Sequence, residues 1–325
     1  MATRLPQGGY AARLPDGRLH LQHGPIDLLI AIDAPEPVRQ AAERRAVARF
    51  DPLLGRLAPR RAALSQAVTA ADRPDIADVV EPSGRMSDNV ESAAGERVAA
   101  RMRDAALRLA RFTDFVTPMA AVAGAVADEI LEAIGQPPSL RSASVNNGGD
   151  IAIRLVAGEG LRIGLGGGQG IQPMDVPDGG PARQPLLGQL RLSRPGRYGI
   201  ATSGWSGRSH SRGIADSVTV LADTAATADV AATLIANAVD VAAPDRIERR
   251  VARELDEASD LGNRAVTVAV GRLDPVQRRQ AVHRGVALAA RLHERAHVQA
   301  VFVALQGLGR TVPTSEPRIA VHTRG

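Results

Sequence analysis

Residues 142–155 read Ser-Ala-Ser-Val-Asn-Asn-Gly-Gly-Asp-Ile-Ala-Ile-Arg-Leu, which indicates two β-strands joined by a glycine turn. Asn-Gly between two such strands is a strong hairpin signal, so a tight turn at Gly148 and Gly149 is one interpretation. Paired glycines also let a backbone approach a ligand closely, and their N–H groups can hold an anion. The pattern favours the hairpin turn and leaves a ligand-binding loop open as the alternative.

The segments on either side of this pair mix strands and helices without a regular βαβ period. Strands are predicted over residues 18–34 (a hairpin), 161–165, 189–192, 198–202, 217–221, 265–270 and 298–305. Helices are predicted over residues 38–70 (interrupted near Pro59), 96–111, 118–134, 227–239 and 275–295. Alternating charges over residues 244–260 are typical of a solvated helical face, and the tail after residue 305 is expected to be loose. This mixture favours an α+β fold over a doubly wound sheet.

No clean linker divides the sequence, so a single domain over residues 1–325 is expected, with its motifs in residues 112–240 and a C-terminal α/β portion over 244–310. Residues 71–95 are polar and are expected to form an exposed crossing. Residues 166–187 are rich in Gly, Pro and Asp, and long loops of this kind are often functional. We take this second loop as a hypothetical lid.

The composition excludes several kinds of chemistry. All 40 basic residues are arginine, so Schiff-base chemistry and a P-loop lysine are excluded. The absence of cysteine excludes a thiol nucleophile, a disulfide and a zinc finger. Four Phe, two Tyr and one Trp, with a net charge of only +5 and no basic run, argue against a nucleic-acid partner.

The sequence carries no recognisable membrane or targeting signal. Residues 1–10 lack an apolar targeting segment. The longest apolar run, residues 116–127, is broken by Pro118 and Gly124 and is too short to cross a bilayer. A cytoplasmic protein without a membrane partner is therefore expected.

A dense set of polar groups follows the strand predicted over residues 198–202. Residues 201–210 read Ala-Thr-Ser-Gly-Trp-Ser-Gly-Arg-Ser-His and include Thr202, Ser203, Gly204 and His210. Hydroxyl, backbone and arginine N–H donors of this kind suit phosphate oxygens. The Gly-x-Ser-x-Gly elbow of a serine hydrolase is absent, and a polar surface loop is the alternative interpretation.

Asp229 and Thr233 lie four residues apart on a predicted helix, so their side chains share one face. A carboxylate and a hydroxyl on one face can hold a hard cation such as Mg²⁺. The alternative is that Asp229 complements the helix dipole from the first turn. Small residues over 116–128 would likewise let either another backbone or a flat ligand pack closely on the helix predicted there.

In this order the segments resemble the ApbE flavin transferases, and more closely an uncharacterised ApbE-like sister family. The matching motifs are residues 122–128, Gly148-Gly149-Asp150, Thr202-Ser203-Gly204 with His210, Ser217-Val218-Thr219-Val220, and residues 228–233. The sister family adds Thr117-Pro118-Met119-Ala120, Gly262-Asn263-Arg264 and Leu305-Gln306-Gly307. The resemblance implies an ApbE-like α+β fold, with antiparallel sheets packed against helices.

The resemblance also implies a reaction, in which FAD is bound with Mg²⁺ and FMN is moved onto a threonine hydroxyl of an acceptor protein, with release of AMP. Asp229 and Thr233 would hold the metal, and His210 and Asp229 would be catalytic. The implied cofactor-binding residues are Thr117, Met119, Asn147, Gly148, Gly149, Asp150, Thr202, Ser203 and Gly204. The small phosphorylated ligand and the acceptor protein are the implied partners, and a homodimer is a further expectation.

The chain departs from the transferase motifs at several places. Ala123 stands at the lysine of the transferase motif and Ala125 at its tyrosine, and the run after His210 is also different. Two other functions therefore stay open beside transfer. One is an enzyme of pterin or methanopterin-type one-carbon coenzyme metabolism that reuses the pocket, and the other is a non-catalytic flavin-binding protein.

Overall fold

The computed structural model describes residues 2–72, 94–166, 186–207, 209–243, 245–314 and 319–321. Their contacts divide the chain into two compact units. The first unit is Met1–Glu159, Pro195–Gly199 and Thr224–Val230, and the second is Gly160–Arg194, Ile200–Asp223 and Ala231–Gly325. The single domain expected from the sequence stays a prediction. Most of the hypothetical lid and of the exposed crossing lies outside the described residues.

The first unit is an antiparallel meander with helices. Its strands are β1 (Thr3–Arg4), β2 (Tyr10–Arg13), β3 (Leu19–His23), β4 (Ile26–Asp33), β5 (Ser142–Asn147) and β6 (Asp150–Leu155), paired in that order. Its helices are α1 (Glu36–Phe50), α2 (Leu53–Leu57), α3 (Arg61–Leu64), α4 (Ala94–Leu109) and α5 (Val122–Ile134). Helix α5 packs on β5 and β6 and also on α1 and α4, so it is the centre of this core.

The burial pattern of the first unit follows its sequence. Ile26, Leu28 and Ile30 alternate along β4 and are buried, as a strand with one covered face requires. Pro118 begins a 3₁₀ turn, Pro118–Ala121, that leads into α5, where the sequence predicted a continuous helix. Proline fits this first turn because it lacks the N–H that a helix start leaves unpaired.

The second unit contains three separate antiparallel groups of strands. The next elements along the chain are β7 (Leu161–Gly166), β8 (Leu186–Leu192), β9 (Gly196–Ser203), β10 (Ser217–Ala222), α6 (Ala225–Ala238), β11 (Ile247–Val251), α7 (Ala252–Leu255), β12 (Ala265–Val270), α8 (Pro275–Glu294), β13 (Ala300–Leu305), β14 (Leu308–Val312) and β15 (Ile319–Val321). Strand β9 and helix α6 have residues in both units. The groups are β10-β13-β14, β15-β8-β7 and β11-β12, and α8 packs on β13 and β14.

Two sequence predictions in the second unit are wrong. Residues 247–251 form strand β11 rather than a solvated helical face, because Ile247 is buried and the segment pairs with β12. The tail is not loose throughout, since β14 pairs with β13 and β15 pairs with β8. The α+β class with antiparallel sheets is confirmed. No helix among the described residues is long and apolar enough to cross a membrane.

Candidate functional site

The Asn-Gly-Gly-Asp segment is a two-residue hairpin turn in the first unit. Asn147 pairs with Asp150, and between them Gly148 and Gly149 have φ angles of 67° and 118°. Positive φ at both positions strains any residue with a Cβ, so the turn requires its glycines. The Gly149 N–H donates to Oδ1 of Asn146 at 2.8 Å. The hairpin interpretation is confirmed, and the ligand-binding role stays a prediction.

The side chain of Asn147 connects this turn by hydrogen bonds to the start of α5 and to β4. Its side chain is 5% exposed. Its Nδ2 donates to the Ala123 carbonyl oxygen at 3.1 Å, and its Oδ1 accepts from the Asp27 N–H at 3.4 Å. A buried amide with both ends paired fixes the turn against the start of α5 and the strand beside it.

Asp229 meets the same helix start from α6. The Gly124 N–H donates to its Oδ2 at 3.0 Å. Burial raises the pKa of Asp229 well above its usual value, and the negative charge of Asp150 raises it further. Hydrogen bonds from the N–H groups of Gly124 and Ala123 offset part of that rise. The structure therefore brings Asp150 and Asp229, both proposed from sequence, to the start of α5.

Asp128 is a site residue that the sequence analysis did not single out. It is 2% exposed and accepts from the N–H groups of Ala225 at 3.2 Å and Ala226 at 3.0 Å, so it caps α6 from another helix. Burial raises the pKa of Asp128. Its one sequence signal was its place as a carboxylate directly after an apolar run, at the end of the motif over residues 122–128.

Glycines permit this close approach of backbones within the first unit. A Cβ at Gly124 would collide with the Ala225 carbonyl group, and a Cβ at Gly199 would collide with Thr224. For the small-residue helix, the structure therefore shows another backbone packed at Gly124, which was one of the two interpretations. Thr117 is 1% exposed and Met119 is partly buried, both just before α5.

The other candidate residues belong to the second unit. Oγ1 of Thr202 and Oγ1 of Thr219 are 2.9 Å apart, and a Cβ at Gly204 would collide with the Asp216 carbonyl oxygen. Ser203 is partly buried and His210 is exposed. Thr233 is partly buried on α6, one turn after Asp229. The roles of these residues stay predictions.

A metal ion at the start of α5 would need ligands besides the acidic side chains described there. No three His, Asp or Glu side chains among the described residues form a group that could hold a metal. Mg²⁺, however, is usually held by one or two carboxylates together with substrate phosphates and waters. The charge of Asp150 raises the pKa of Asp229, so these are the two carboxyl groups that such a shared coordination would use.

The strands and helices described above define an α+β protein built from antiparallel sheets and packed helices. The acidic site lies at the start of one of these helices, α5. A family model described as "AbpE bacteria" matches residues 11–312. The chain belongs to this family.

The chain is also similar to archaeal proteins with the name UPF0280. It is 38% identical over 156 residues to one from Methanopyrus kandleri, which covers 48% of this chain and 55% of the relative. It is 38% identical over 160 residues to one from Methanothermobacter thermautotrophicus, with the same coverage of 48% and 55%. The chain therefore spans about half the length of these relatives.

Solved structures with distant similarity include two ApbE proteins. The apo flavinyl transferase ApbE of Pseudomonas stutzeri is 12% identical, with 95% of this chain and 92% of that chain covered and a TM-score of 0.39. The ApbE protein of Thermotoga maritima is 13% identical, with 96% of each chain covered and a TM-score of 0.38. The family assignment rests on the match over residues 11–312 rather than on these structures.

Proposed function

We propose that this protein binds FAD, or a related phosphorylated cofactor, together with Mg²⁺ at the acidic site of the first unit, and that FMN transfer to a protein hydroxyl is its reaction. One observation carries the proposal: the Gly124 N–H holds Oδ2 of Asp229 at 3.0 Å at the start of α5, where the charge of Asp150 also raises the pKa of that carboxyl group. Two such carboxylates repel each other unless a cation or a proton lies between them.

Ala123 stands at the position of the lysine in the transferase motif. This replacement supports a cation that arrives with the ligand. Ala123 supplies only its backbone here, with its N–H directed to Asp229 and its carbonyl oxygen accepting from Asn147. No ion pair to Asp229 exists among the described residues. The charge that balances Asp229 is therefore proposed to be Mg²⁺.

Each residue has a limited task in this proposal. Asp229 would hold the metal, and Asn147 fixes the turn at Gly148 and Gly149 to Ala123 at the start of α5. The metal would neutralise charge at the pyrophosphate. In the transfer, the acceptor hydroxyl oxygen forms a bond to the phosphorus of FMN while the bond to AMP breaks, and AMP leaves with the electron pair. The hydroxyl proton would go to a general base, and the catalytic roles of His210 and Asp229 stay predictions from the sequence.

The test measures binding and turnover separately. Purified protein is incubated with FAD and Mg²⁺, bound flavin is measured by fluorescence, and AMP is measured by chromatography. We expect Mg²⁺-dependent flavin binding that Asp229→Ala weakens by at least about tenfold, the size expected for losing one charged contact. The matched control is Asp104→Ala, which removes an exposed carboxylate of the same unit and should leave binding unchanged.

The remaining outcomes separate the alternatives. Bound flavin without AMP, even with candidate acceptor proteins, would favour a non-catalytic flavin-binding protein. No bound flavin at high FAD and Mg²⁺ would rule out both flavin functions. A melting-temperature shift with a phosphorylated pterin would then favour the enzyme of coenzyme metabolism.

A further inference from the structure

A cavity of about 420 Å³ lies at the start of helix α8, entirely within the second unit. Its lining residues are Arg246, Arg272, Leu273, Asp274, Pro275, Gln277 and Arg278. Three guanidinium groups face one carboxylate in this lining, which leaves a formal charge of +2. The cavity therefore has an excess of positive charge in its lining.

The single carboxylate of the lining is already engaged. Oδ1 of Asp274 accepts from the N–H groups of Val276 at 2.8 Å and Gln277 at 2.9 Å. The Gln277 side chain accepts in return from the Asp274 N–H at 3.1 Å. This capping box satisfies the helix start, so the attraction for an anion comes from the arginines rather than from free N–H groups of the helix.

The arginines keep unused donor capacity. The side chains of Arg246 and Arg272 are exposed and make no ion pair within the described residues. Arg278 donates from Nη1 to the Gln306 carbonyl oxygen at 2.9 Å, while its Nε is buried without a hydrogen-bond partner among the described residues. Guanidinium groups in this state suit the paired oxygens of a phosphoryl group.

Gln306 holds the cavity wall in place. Its Nε2 donates to the Gly271 carbonyl oxygen at 2.7 Å, and its Oε1 accepts from the Leu273 N–H at 3.0 Å. Its backbone has a φ of 44°, in the left-handed region that few residues with a side chain adopt. Gln306 thus fixes the segment that carries Arg272 and also bonds Arg278, so the arginines are positioned before a ligand arrives.

A second cavity, in the first unit, is less suited to an anion. It measures about 640 Å³ and is lined by Arg13, Arg44 and Arg56, but also by Glu43 and Asp51. Arg13 is paired with Glu43, so less positive charge is available there.

We propose that the cavity lined by Arg246, Arg272 and Arg278, which we call the arginine cavity, binds the phosphoryl group of a small phosphorylated molecule. Ligand cavities commonly measure about 300–1,000 Å³. The arginine cavity, at about 420 Å³, therefore has room for a phosphoryl group and a small organic body. This site is independent of the cofactor site proposed in the first unit.

The test titrates the full chain at low salt by calorimetry with inorganic phosphate, pyrophosphate and ribose 5-phosphate, with sulfate as a charge control. We expect Arg246→Gln and Arg272→Gln each to weaken phosphate binding by at least about tenfold. Arg279→Gln is the matched control, because Arg279 is an exposed arginine on α8 outside the lining. It should change the affinity less than twofold.

Two results would overturn the proposal. One is the absence of binding heat with all four anions at millimolar concentration. The other is an equal loss in Arg279→Gln, which would indicate general attraction to a basic surface. Tighter binding of ribose 5-phosphate than of inorganic phosphate would identify a phosphorylated metabolite, and the reverse order would identify free phosphate.

Gln306→Ala tests the positioning role separately. We expect weaker phosphate binding without any change in arginine content or net charge. Unfolding curves of each variant show whether the fold is intact. An intact Gln306→Ala variant with full phosphate affinity would show that the arginines need no such support.

Discussion

Gly124 lies where α5 meets the backbone at the start of α6, and a Cβ there would collide with the Ala225 carbonyl group. We expect Gly124→Ala to lower the free energy of unfolding by about 3 kcal/mol, because backbone cannot move aside as a flexible side chain can. Urea unfolding measures the change. Magnesium-dependent flavin binding should fall as well, since the Gly124 N–H bonds Asp229.

The control for this change is another helical glycine of the same unit. Gly55 lies in α2 and has nothing within 4 Å of an added Cβ. Gly55→Ala should stabilise the protein by about 0.5–1 kcal/mol through the lower entropy of the unfolded chain. Equal effects of the two substitutions would contradict the steric argument.

Asp216 makes the stability of the second unit depend on pH. Burial raises the pKa of its carboxyl group, and hydrogen bonds from the Gln306 N–H at 2.5 Å and from Nε1 of Trp205 at 3.3 Å offset part of the rise. Because the folded pKa lies above the unfolded value, its contribution to stability is complete below the unfolded pKa. That contribution is lost as the pH rises through the folded pKa.

We therefore compare wild type with Asp216→Asn, whose side chain does not titrate. The free energy of unfolding of wild type minus that of the variant should fall as the pH rises from about 4 to 7. Urea unfolding at several pH values measures this difference. A difference that grows over that range would contradict the raised pKa.

Sequence reasoning found part of the acidic site and missed the rest for a physical reason. The hairpin signal at Asn147 and Gly148 is local, so the turn could be predicted. Asp229 was proposed from its spacing, and the structure places it beside Asp150. Asp128 could not be found in this way, because capping a different helix depends on tertiary packing that no local pattern records.

Among the elements, three helices of the first unit are joined by one buried carboxylate. Glu129 of α5 is not exposed, and it pairs with Arg49 of α1 and with two arginines of α4. Arg97 Nη2 lies 2.7 Å from Oε1, and Arg101 Nε lies 3.6 Å from Oε2. Glu129 therefore places one buried negative charge against three guanidinium groups.

We expect Glu129→Gln to lower the free energy of unfolding by about 3 kcal/mol, because it removes the buried negative charge that faces three partly buried cations. Thermal and urea unfolding measure the loss. Glu132→Gln is the matched control on the same helix, since Glu132 is 47% exposed and pairs with Arg197. It should cost below about 1 kcal/mol, and a similar loss in both variants would refute the special role of Glu129.

Elements with strong local signals were predicted closely, and those that depend on partners were not. The hairpin of β3 and β4 and the amphipathic helix α8 agree with their periodicity. Strand β11 was mistaken for a helical face because its charges dominate the sequence, whereas its pairing with β12 decides its structure. The short strands β14 and β15 likewise exist through their partners.

For the whole molecule, the two proposed sites belong to different units and should respond to different substitutions. We expect Asp229→Ala to remove the Mg²⁺-dependent rise in melting temperature with FAD and to leave phosphate affinity unchanged. Arg272→Gln should weaken phosphate binding and leave the Mg²⁺-dependent rise in melting temperature with FAD unchanged. Thermal-shift and calorimetric titrations of both variants test this, and loss of both ligands in either variant would indicate one shared site.

The buried amide of Asn147 has a consequence for the chemical lifetime of the chain. In a flexible peptide, the backbone nitrogen of a glycine that follows asparagine attacks the side-chain carbonyl carbon of the asparagine. The asparagine then deamidates through a succinimide. Here that amide is held by Ala123 and Asp27 in a turn whose glycine angles are fixed. The folded first unit therefore slows deamidation of Asn147. The amount of isoaspartate at residue 147 would measure how long the unit had been unfolded.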